Sequence, residues 1–266
     1  MKKIEQKDLF ELKNVGQPVV AGDAFFFTET KMNEKKNTYE TAIYKYTADG
    51  NVAYGDEGTV NSSLKVSPDG KWISFISNAG EEKTPQLKIQ SVHGGKAIAL
   101  TEEKKGVSSY VWAKDSKSIV FQTTKPEEEE KKEEFPQPIV VEKTTYRFDG
   151  GSFLPNDEVT QIKKVDIVTK ESSTLFESKE SIGLRDVLHY GTTLVVDRDL
   201  SNVRWTLDSA EACYVDVATG DIHPILEAGT DESYRYVLDA KDGAVLQYSS
   251  GKHGFVTQAD LIVNFD

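Results

Sequence analysis

The sequence predicts an all-β fold, a β-propeller built from four-stranded antiparallel blades. Three observations lead to this prediction: a tight hairpin motif, its return at a nearly regular spacing, and a further apolar strand after each copy. About five copies fit within the 266 residues. No segment combines sustained helical periodicity with capping residues at both ends, so the pattern favours sheets throughout.

The hairpin motif is clearest at residues 66–75, Val-Ser-Pro-Asp-Gly-Lys-Trp-Ile-Ser-Phe. Pro68 fixes φ at the first central turn position, Asp69 can hydrogen-bond the nearby backbone, and Gly70 tolerates a positive φ. The residues from Trp72 to Phe75 are aromatic, β-branched or small, as expected of a buried strand. The segment is therefore predicted to be strand, turn and strand.

The same hairpin recurs along the chain, each time with a turn residue before an apolar strand. The turn residues are Gly22, Gly70, Ser116, Gly191 and Gly243, with successive spacings of 48, 46, 75 and 52. Repeats of roughly 40–50 residues are typical of four-stranded propeller blades. A β-sandwich is the weaker alternative, because sandwiches do not repeat at a fixed period.

A third apolar strand, ending near an acid or a turn, follows each hairpin. Its copies are residues 43–46, 87–90, 162–167, 213–217 and 261–265. Short fourth strands are expected at residues 97–100, 173–176 and 222–226. Each repeat is thus predicted to be a four-stranded meander, and the fifth lacks its outermost strand.

The unfinished fifth repeat admits two explanations, because propellers protect their sheet edges by circular repetition. The chain is a piece of a larger protein with further blades, or the segment Leu9–Lys13 supplies the missing strand and closes a five-bladed ring. We expect the first.

Composition narrows the classes of partner. The formal net charge is -12 and the isoelectric point is near 4.9, without a basic patch, so we expect no nucleic-acid or anionic-membrane partner. Two lysines near the N-terminus are not followed by an apolar run, so no secretory signal is expected. Cys213 is the single cysteine, which excludes a disulfide framework and a cysteine metal cluster. A cytoplasmic protein without cofactor or metal is the simplest interpretation.

The longest spacing indicates an insertion near residues 125–158, some 27 residues beyond a normal blade. It opens with a dense charge run, Lys125–Glu134, which we interpret as a solvated loop because like charges repel one another. A metal or peptide-amine site made of its glutamates is the less favoured alternative, since such sites need ligands held on rigid elements.

The second part of this insertion carries a family resemblance. Residues 146–154, Tyr-Arg-Phe-Asp-Gly-Gly-Ser-Phe-Leu, together with Asp8–Val15 and Ser67–Lys71, resemble the acylaminoacyl-peptidase branch of the prolyl oligopeptidase family of serine peptidases. Ser152 stands where the family often has a second glycine. The resemblance covers nearly the whole chain, although TolB-type propellers share the Ser-Pro-Asp-Gly motif.

The resemblance implies an N-terminal propeller of seven blades followed by a catalytic α/β-hydrolase domain. Residues 1–266 would be a partial propeller with an inserted loop near 125–158, lacking the hydrolase domain. Its implied role is to cap the active site of the parent enzyme and admit only short peptides. The alternatives are a stand-alone TolB-like binding module and, less favoured, a five-bladed glycosidase with two inward carboxylates.

No catalytic, cofactor-binding or metal-binding residue is assigned from the sequence. A nucleophile elbow has the form Gly-x-Ser-x-Gly between a strand and a helix. The nearest segments, Gly106–Tyr110 and Gly150–Leu154, lack the closing glycine and open no helix. The histidines show no zinc-ligand spacing, so turn or solvent-facing roles are expected for His93, His189, His223 and His253.

Recurring carboxylates and aromatics are expected to serve the fold. Turn and strand-end bonding is predicted for Asp69, Asp115, Asp166, Asp216 and Asp242, because they recur from blade to blade. Trp72 and Trp112 lie on or beside hairpin strands and are expected in the core. The segment Asp197–Asp208, with Arg198, Arg204 and Trp205, is a less favoured candidate for reaching the face where a catalytic domain would dock.

Overall fold

The computed structural model describes residues 3, 5–80, 82–126, 138, 140–142, 158–188, 192–201, 209–240, 243–250 and 257–264. Their structure is nearly all β, preceded by a short 3-10 helix, Gln6–Glu11. The strands are β1 (Lys13–Ala21), β2 (Ala24–Asn33), β3 (Thr38–Tyr46), β4 (Val52–Tyr54), β5 (Asn61–Val66), β6 (Trp72–Ser77), β7 (Gln86–Ser91), β8 (Ile98–Ala99), β9 (Val107–Trp112), β10 (Ser118–Thr124), β11 (Thr160–Asp166), β12 (Ser172–Ser178), β13 (Ile182–Leu188), β14 (Thr193–Asp199), β15 (Ala210–Asp216), β16 (Ile222–Pro224), β17 (Glu232–Ala240), β18 (Gly243–Ser250) and β19 (Thr257–Asn264).

The strands pair within their repeats. Three separate sheets hold β1–β4, β5–β8 and β9–β12, each in chain order, which confirms the predicted four-stranded repeats. A fourth repeat, β13–β16, and a fifth, β17–β19, join as one seven-stranded sheet. They join because Ala210 of β15 and Ser233 of β17 form a parallel bridge, and the Ala210 N–H donates to Ser233 Oγ at 3.1 Å.

The chain divides into two compact units. Unit 1 comprises residues 1–108, 114–118 and 165–171, and unit 2 comprises residues 109–113, 119–164 and 172–266. In unit 1, Phe26 and Ile43 of the first sheet pack with Ile73 and Phe75 of the second, all fully buried. The turn-and-strand motif of residues 66–75 therefore supplies two of the eight buried side chains of this core.

Unit 2 contains two apolar clusters. One cluster joins Val120 and Ile162 of the third repeat to Leu194 and Val215 of the fourth. The other joins the fourth repeat to the fifth through six buried side chains: Leu188, Val195, Ala212, Tyr236, Ala244 and Leu246. Within this unit, consecutive repeats therefore pack on one another through their apolar side chains.

The structure of the N-terminal segment rules out one of the two explanations for the unfinished fifth repeat. Leu9–Lys13 was the proposed closing strand of a five-bladed ring, but Leu9 belongs to the 3-10 helix. That helix begins where the Glu5 N–H donates to Asp8 Oδ2 at 2.9 Å. Lys13 starts β1 and pairs with Lys31 of the first sheet. Closure of the ring by this segment is thus wrong.

The tryptophans differ in burial. Trp112 is 7% exposed, as expected for a core residue, whereas Trp72 is only half-buried at the start of β6. Trp205 and the insertion from Glu127 to Asp157, apart from residues 138 and 140–142, lie outside the described residues.

The first strand of four repeats carries a β-bulge where it pairs with the second strand. The pairing register shifts between Gly16 and Val19, Ser62 and Lys65, Leu184 and Asp186, and Tyr236 and Leu238. A bulge leaves its extra residue outside the ladder and increases the local twist. The pairing register skips Ser63 and Leu64 of β5, Arg185 of β13 and Val237 of β17, so the ladder is interrupted at these points.

Side chains of the preceding repeat bind these bulges. The three contacts are Leu64 N–H to Gln17 Oε1 at 2.8 Å, Leu184 N–H to Gln122 Oε1 at 2.7 Å, and Tyr236 N–H to Asp197 Oδ1 at 2.9 Å. We call them the bulge clasps. They link the first repeat to the second, the third to the fourth and the fourth to the fifth, because each acceptor lies one repeat before its donor.

Removing one acceptor tests the clasp energetics. We expect Gln122→Leu to lower the free energy of unfolding by about 1–3 kcal/mol, because the Leu184 N–H loses its acceptor. The matched control is Gln247→Leu, since the Gln247 side chain is exposed and makes no side-chain hydrogen bond among the described residues; its effect should stay within about 0.5 kcal/mol. Urea unfolding measures both, and equal effects would contradict the clasp.

Candidate functional site

The recurring aspartates hold turns, as predicted. Each accepts a hydrogen bond on Oδ1 from the backbone two residues ahead: Asp69 from Lys71 N at 3.2 Å, Asp115 from Lys117 N at 2.9 Å, Asp166 from Val168 N at 2.8 Å and Asp216 from Ala218 N at 2.7 Å. Asp242 lies outside the described residues. The periodic carboxylates are therefore committed to the backbone and do not converge on a common site.

An open cleft of about 540 Å³ lies between the turns of the first two repeats. Its charged and titratable lining consists of Asp23, Lys45, Tyr46, Asp69, Lys71 and His93. Lys45 Nζ donates to the Val92 carbonyl at 3.1 Å, and Lys71 Nζ lies 3.2 Å from Asp69 Oδ2. A hydrogen bond from the Ser67 hydroxyl holds the pKa of Asp69 below its usual range.

The lining of the cleft can bind charged groups, but it holds no side chain that could act as the nucleophile of an acyl transfer. None of the residues that line it, all within the described structure, is a serine, threonine or cysteine. His93 occupies the turn after β7, where its backbone N–H donates to Ser91 Oγ at 3.2 Å. The predicted turn role of His93 is therefore confirmed.

The remaining histidines and serine segments supply no nucleophile with a base. His223 is exposed on β16 opposite Tyr214, and the imidazoles of His93 and His223, the two that the structure describes, bind no hydroxyl or thiol. Ser108 lies within β9, which follows Gly106 directly, so this segment is not a strand-to-helix elbow. His189, His253 and Gly150–Leu154 fall outside the described residues.

A buried cluster of opposite charges lies in the fourth repeat, where the sequence suggested the segment Asp197–Asp208. Asp197, Arg198 and Asp199 end strand β14, whereas Arg204 and Trp205 lie outside the described residues. Arg198 Nη2 donates to Glu211 Oε2 at 2.6 Å, and Arg185 Nε donates to Asp197 Oδ2 at 2.6 Å. We call the four residues of these two ion pairs, Arg185, Asp197, Arg198 and Glu211, the charge cluster.

The acids of the charge cluster are almost fully buried, with Asp197 at 5% and Glu211 at 3% exposure. Burial raises the pKa of Asp197 above its usual range, despite the opposing Tyr236 N–H and the Arg185 guanidinium. Glu211 also accepts the Ala228 N–H on Oε1 at 3.1 Å. Each of these buried acids is therefore occupied by a guanidinium and a backbone donor, as the burial of a charge requires.

Cys213 lies beside this cluster on β15 and is fully buried. Burial raises its pKa to about 12, so the group is a thiol at neutral pH and a poor nucleophile. In the described part of the chain, no three His, Cys, Asp or Glu side chains are grouped to hold a metal ion. Among the described residues, this region therefore offers neither a reactive thiolate nor a set of metal ligands.

Comparison with known proteins places this geometry in context. No family model matches the chain. The uncharacterized peptidase YuxL of Bacillus subtilis (strain 168) is 28% identical over 194 residues, which are 69% of this chain and 29% of that protein. The acylaminoacyl peptidase of Pyrococcus horikoshii superposes on 94% of this chain with a TM-score of 0.68 at 20% identity. The chain shares its fold with acylaminoacyl peptidases.

The shared fold is propeller-like. It confirms the resemblance drawn from residues 8–15, 67–71 and 146–154. This chain spans only 37% of the solved Pyrococcus chain and under a third of YuxL. A putative TolB from Agrobacterium tumefaciens also matches, over 95% of this chain and 83% of its own length, with a TM-score of 0.53 at 12% identity. No helix among the described residues is long and apolar enough to cross a bilayer.

Sequence reasoning missed the clasp residues, although a signal was present. Counting six residues from the turn residues Gly22, Gly70, Ser116 and Gly191 gives Thr28, Ile76, Gln122 and Asp197. An amide and a carboxylate at a position within an otherwise apolar strand indicate a polar contact that the strand's own ladder does not need.

Cys213 should resist thiol reagents in the folded protein. We expect no labelling by a thiol-reactive disulfide reagent at neutral pH and stoichiometric labelling in concentrated urea, because burial both hides the sulfur and keeps it protonated. Rapid labelling without denaturant would contradict the described burial.

Asp197→Asn tests the raised pKa while keeping an acceptor for the Tyr236 N–H. The folded protein holds the Asp197 proton more tightly than the unfolded chain, so this contribution to stability is full below the usual carboxyl pKa and lost as pH rises through the raised value. Asparagine does not titrate. Urea unfolding should therefore show the variant gaining stability relative to wild type as the pH rises above about 4, the usual carboxyl pKa; a constant difference would contradict the shift.

Proposed function

We propose that this chain is a non-catalytic β-propeller domain of an acylaminoacyl-peptidase-like serine peptidase. One observation carries the proposal: the chain superposes over 94% of its length on a solved acylaminoacyl peptidase, yet spans 37% of that protein. The rest of such a protein would supply the nucleophile in an α/β-hydrolase domain. Residues 1–266, with the inserted loop near 125–158, would form part of a seven-bladed ring.

The proposed role is to cap the active site and admit only short peptides. Its physical basis is size exclusion, since a folded substrate cannot pass a narrow opening in a stiff cover. The bulge clasps support a stiff cover, because they bind consecutive repeats through their backbones as well as their apolar faces.

A second candidate is a stand-alone binding module similar to TolB propellers. It is favoured by the coverage of 83% of the TolB chain, much more than of the peptidases. In this case the open cleft with Lys45, Lys71 and Asp23 would be the first surface to test for a polar ligand. Whether the reading frame continues past Asp266 separates the two candidates.

The isolated chain provides the direct test. Incubated with chromogenic acyl-peptide and aminoacyl substrates, it should show no turnover above buffer, because the nucleophile would belong to the missing domain. If the frame encodes a hydrolase domain, the whole enzyme should cleave short peptides and spare a folded protein containing the same sequence. Turnover by residues 1–266, or equal cleavage of folded and short substrates, would overturn the proposal.

A further inference from the structure

Lys45 occupies a strand position that other repeats fill with an apolar side chain. The position is the third-strand partner of the residue four places past the turn residue, and its copies in the first, second and fourth repeats are Lys45, Ile89 and Tyr214. Ile89 is buried, and Tyr214 packs against the apolar cluster that joins the fourth repeat to the fifth. Lys45 therefore places a cation where the contact between consecutive repeats is otherwise apolar.

The Lys45 ammonium is half-buried between the first two repeats. Its Nζ donates to the Val92 carbonyl of the second repeat at 3.1 Å and lies 5.8 Å from the centre of the Phe26 ring. The Tyr54 hydroxyl donates to the same carbonyl at 3.0 Å, so Lys45 shares its acceptor.

No carboxylate of the described residues lies within 4 Å of Lys45 Nζ. An ammonium has three N–H donors, and partly buried charges are normally paired with an opposite charge. The side chain therefore has donors to spare and no counterion among the described groups.

The open cleft of about 540 Å³ gives a ligand access to this ammonium. Its volume is typical of small-molecule sites. The cleft lies within unit 1 and is lined by turns of two consecutive repeats, so both of its walls belong to the described chain. Ala21 and Val92, at 6% and 5% exposure, and the partly buried Ala24 give the cleft an apolar wall beside the cation.

The charges of the lining limit the charge of the ligand. Lys71 is paired with Asp69, and it is 73% exposed, so it is a weak competitor for an anion. Asp23 is exposed and has no ion pair among the residues that the structure describes. Since the two lysines and two aspartates cancel, and the chain carries a net charge of -12, a dianion would be repelled as much as attracted. One negative charge on an apolar body fits the cleft better.

We propose that this cleft binds a small monocarboxylate, whose carboxylate accepts hydrogen bonds from Lys45 Nζ and whose hydrocarbon part lies against Ala21, Ala24 and Val92. The binding rests on neither candidate function, and only its biological use rests on the second, the stand-alone binding module. The turnover assay of the isolated chain and a binding measurement can each fail without the other.

An NMR titration of the whole chain with butyrate tests the proposal. At neutral pH, constant ionic strength and about 0.1–50 mM butyrate, the amide signals of Ala24, Lys45 and His93 should shift and saturate together. Butan-1-ol, which has the same chain without the charge, should cause no saturable shift. Sulfate should bind at least about tenfold more weakly than butyrate, because its second charge meets the aspartates of the lining.

Lys45→Met removes the charge at a position where isoleucine is buried in the second repeat, so the variant should fold. Its dissociation constant for butyrate should rise at least about tenfold, because a charge-assisted hydrogen bond is lost. The matched control is Lys163→Met. Lys163 is also half-buried with its ammonium 6.0 Å from the centre of a phenylalanine ring, Phe121, but it does not line the cleft, so this variant should bind like wild type.

The dispersion of the amide spectrum verifies that each variant is folded, and Lys45→Gln replaces Lys45→Met if the methionine perturbs it. Four results would each overturn the proposal: no saturable shift for wild type, equal shifts with butan-1-ol, sulfate that binds as tightly as butyrate, or a folded Lys45 variant that binds like wild type.

Discussion

The bulge clasp is the contact on which the account of this protein depends. A bulge twists the first strand of a repeat and interrupts its regular ladder. A backbone N–H at this point is costly to bury without an acceptor, and a side chain of the preceding repeat supplies that acceptor. Gln122 and Asp197, at corresponding positions of β10 and β14, perform the same task for Leu184 and Tyr236. Consecutive repeats are thereby ordered by a directional bond as well as by non-directional apolar burial.

This construction explains why a chain rich in carboxylates shows no catalytic pair among its described residues. The turn aspartates bind the backbone of their own turns, and Asp197 and Glu211 are each occupied by an arginine and a backbone N–H. Cys213, the single thiol, is buried and protonated. These polar groups, which are the first candidates for catalysis in the sequence, are therefore bound to partners within the fold. This agrees with a domain whose proposed role is to limit access to an active site on another domain.

Much of the architecture follows from local sequence, and the contacts between repeats do not. The motif of residues 66–75 and its recurrence predict hairpins and four-stranded repeats because turn chemistry and strand periodicity are local properties. Residues Leu9–Lys13 were misjudged as a candidate strand, since a capping contact from Glu5 to Asp8 starts a 3-10 helix there. The bulges and their acceptors depend on pairing between distant segments, so a lone glutamine in β10 reveals its role only when β13 is placed beside it.

Hydrogen exchange at individual amides, followed by NMR, tests the central claim most directly. The N–H groups of Leu64, Leu184 and Tyr236 should exchange as slowly as neighbouring amides bonded within the strand ladders, because the side chains of Gln17, Gln122 and Asp197 accept them. Exchange at these three positions as fast as in exposed turns would show that the clasps do not form, and would contradict the account.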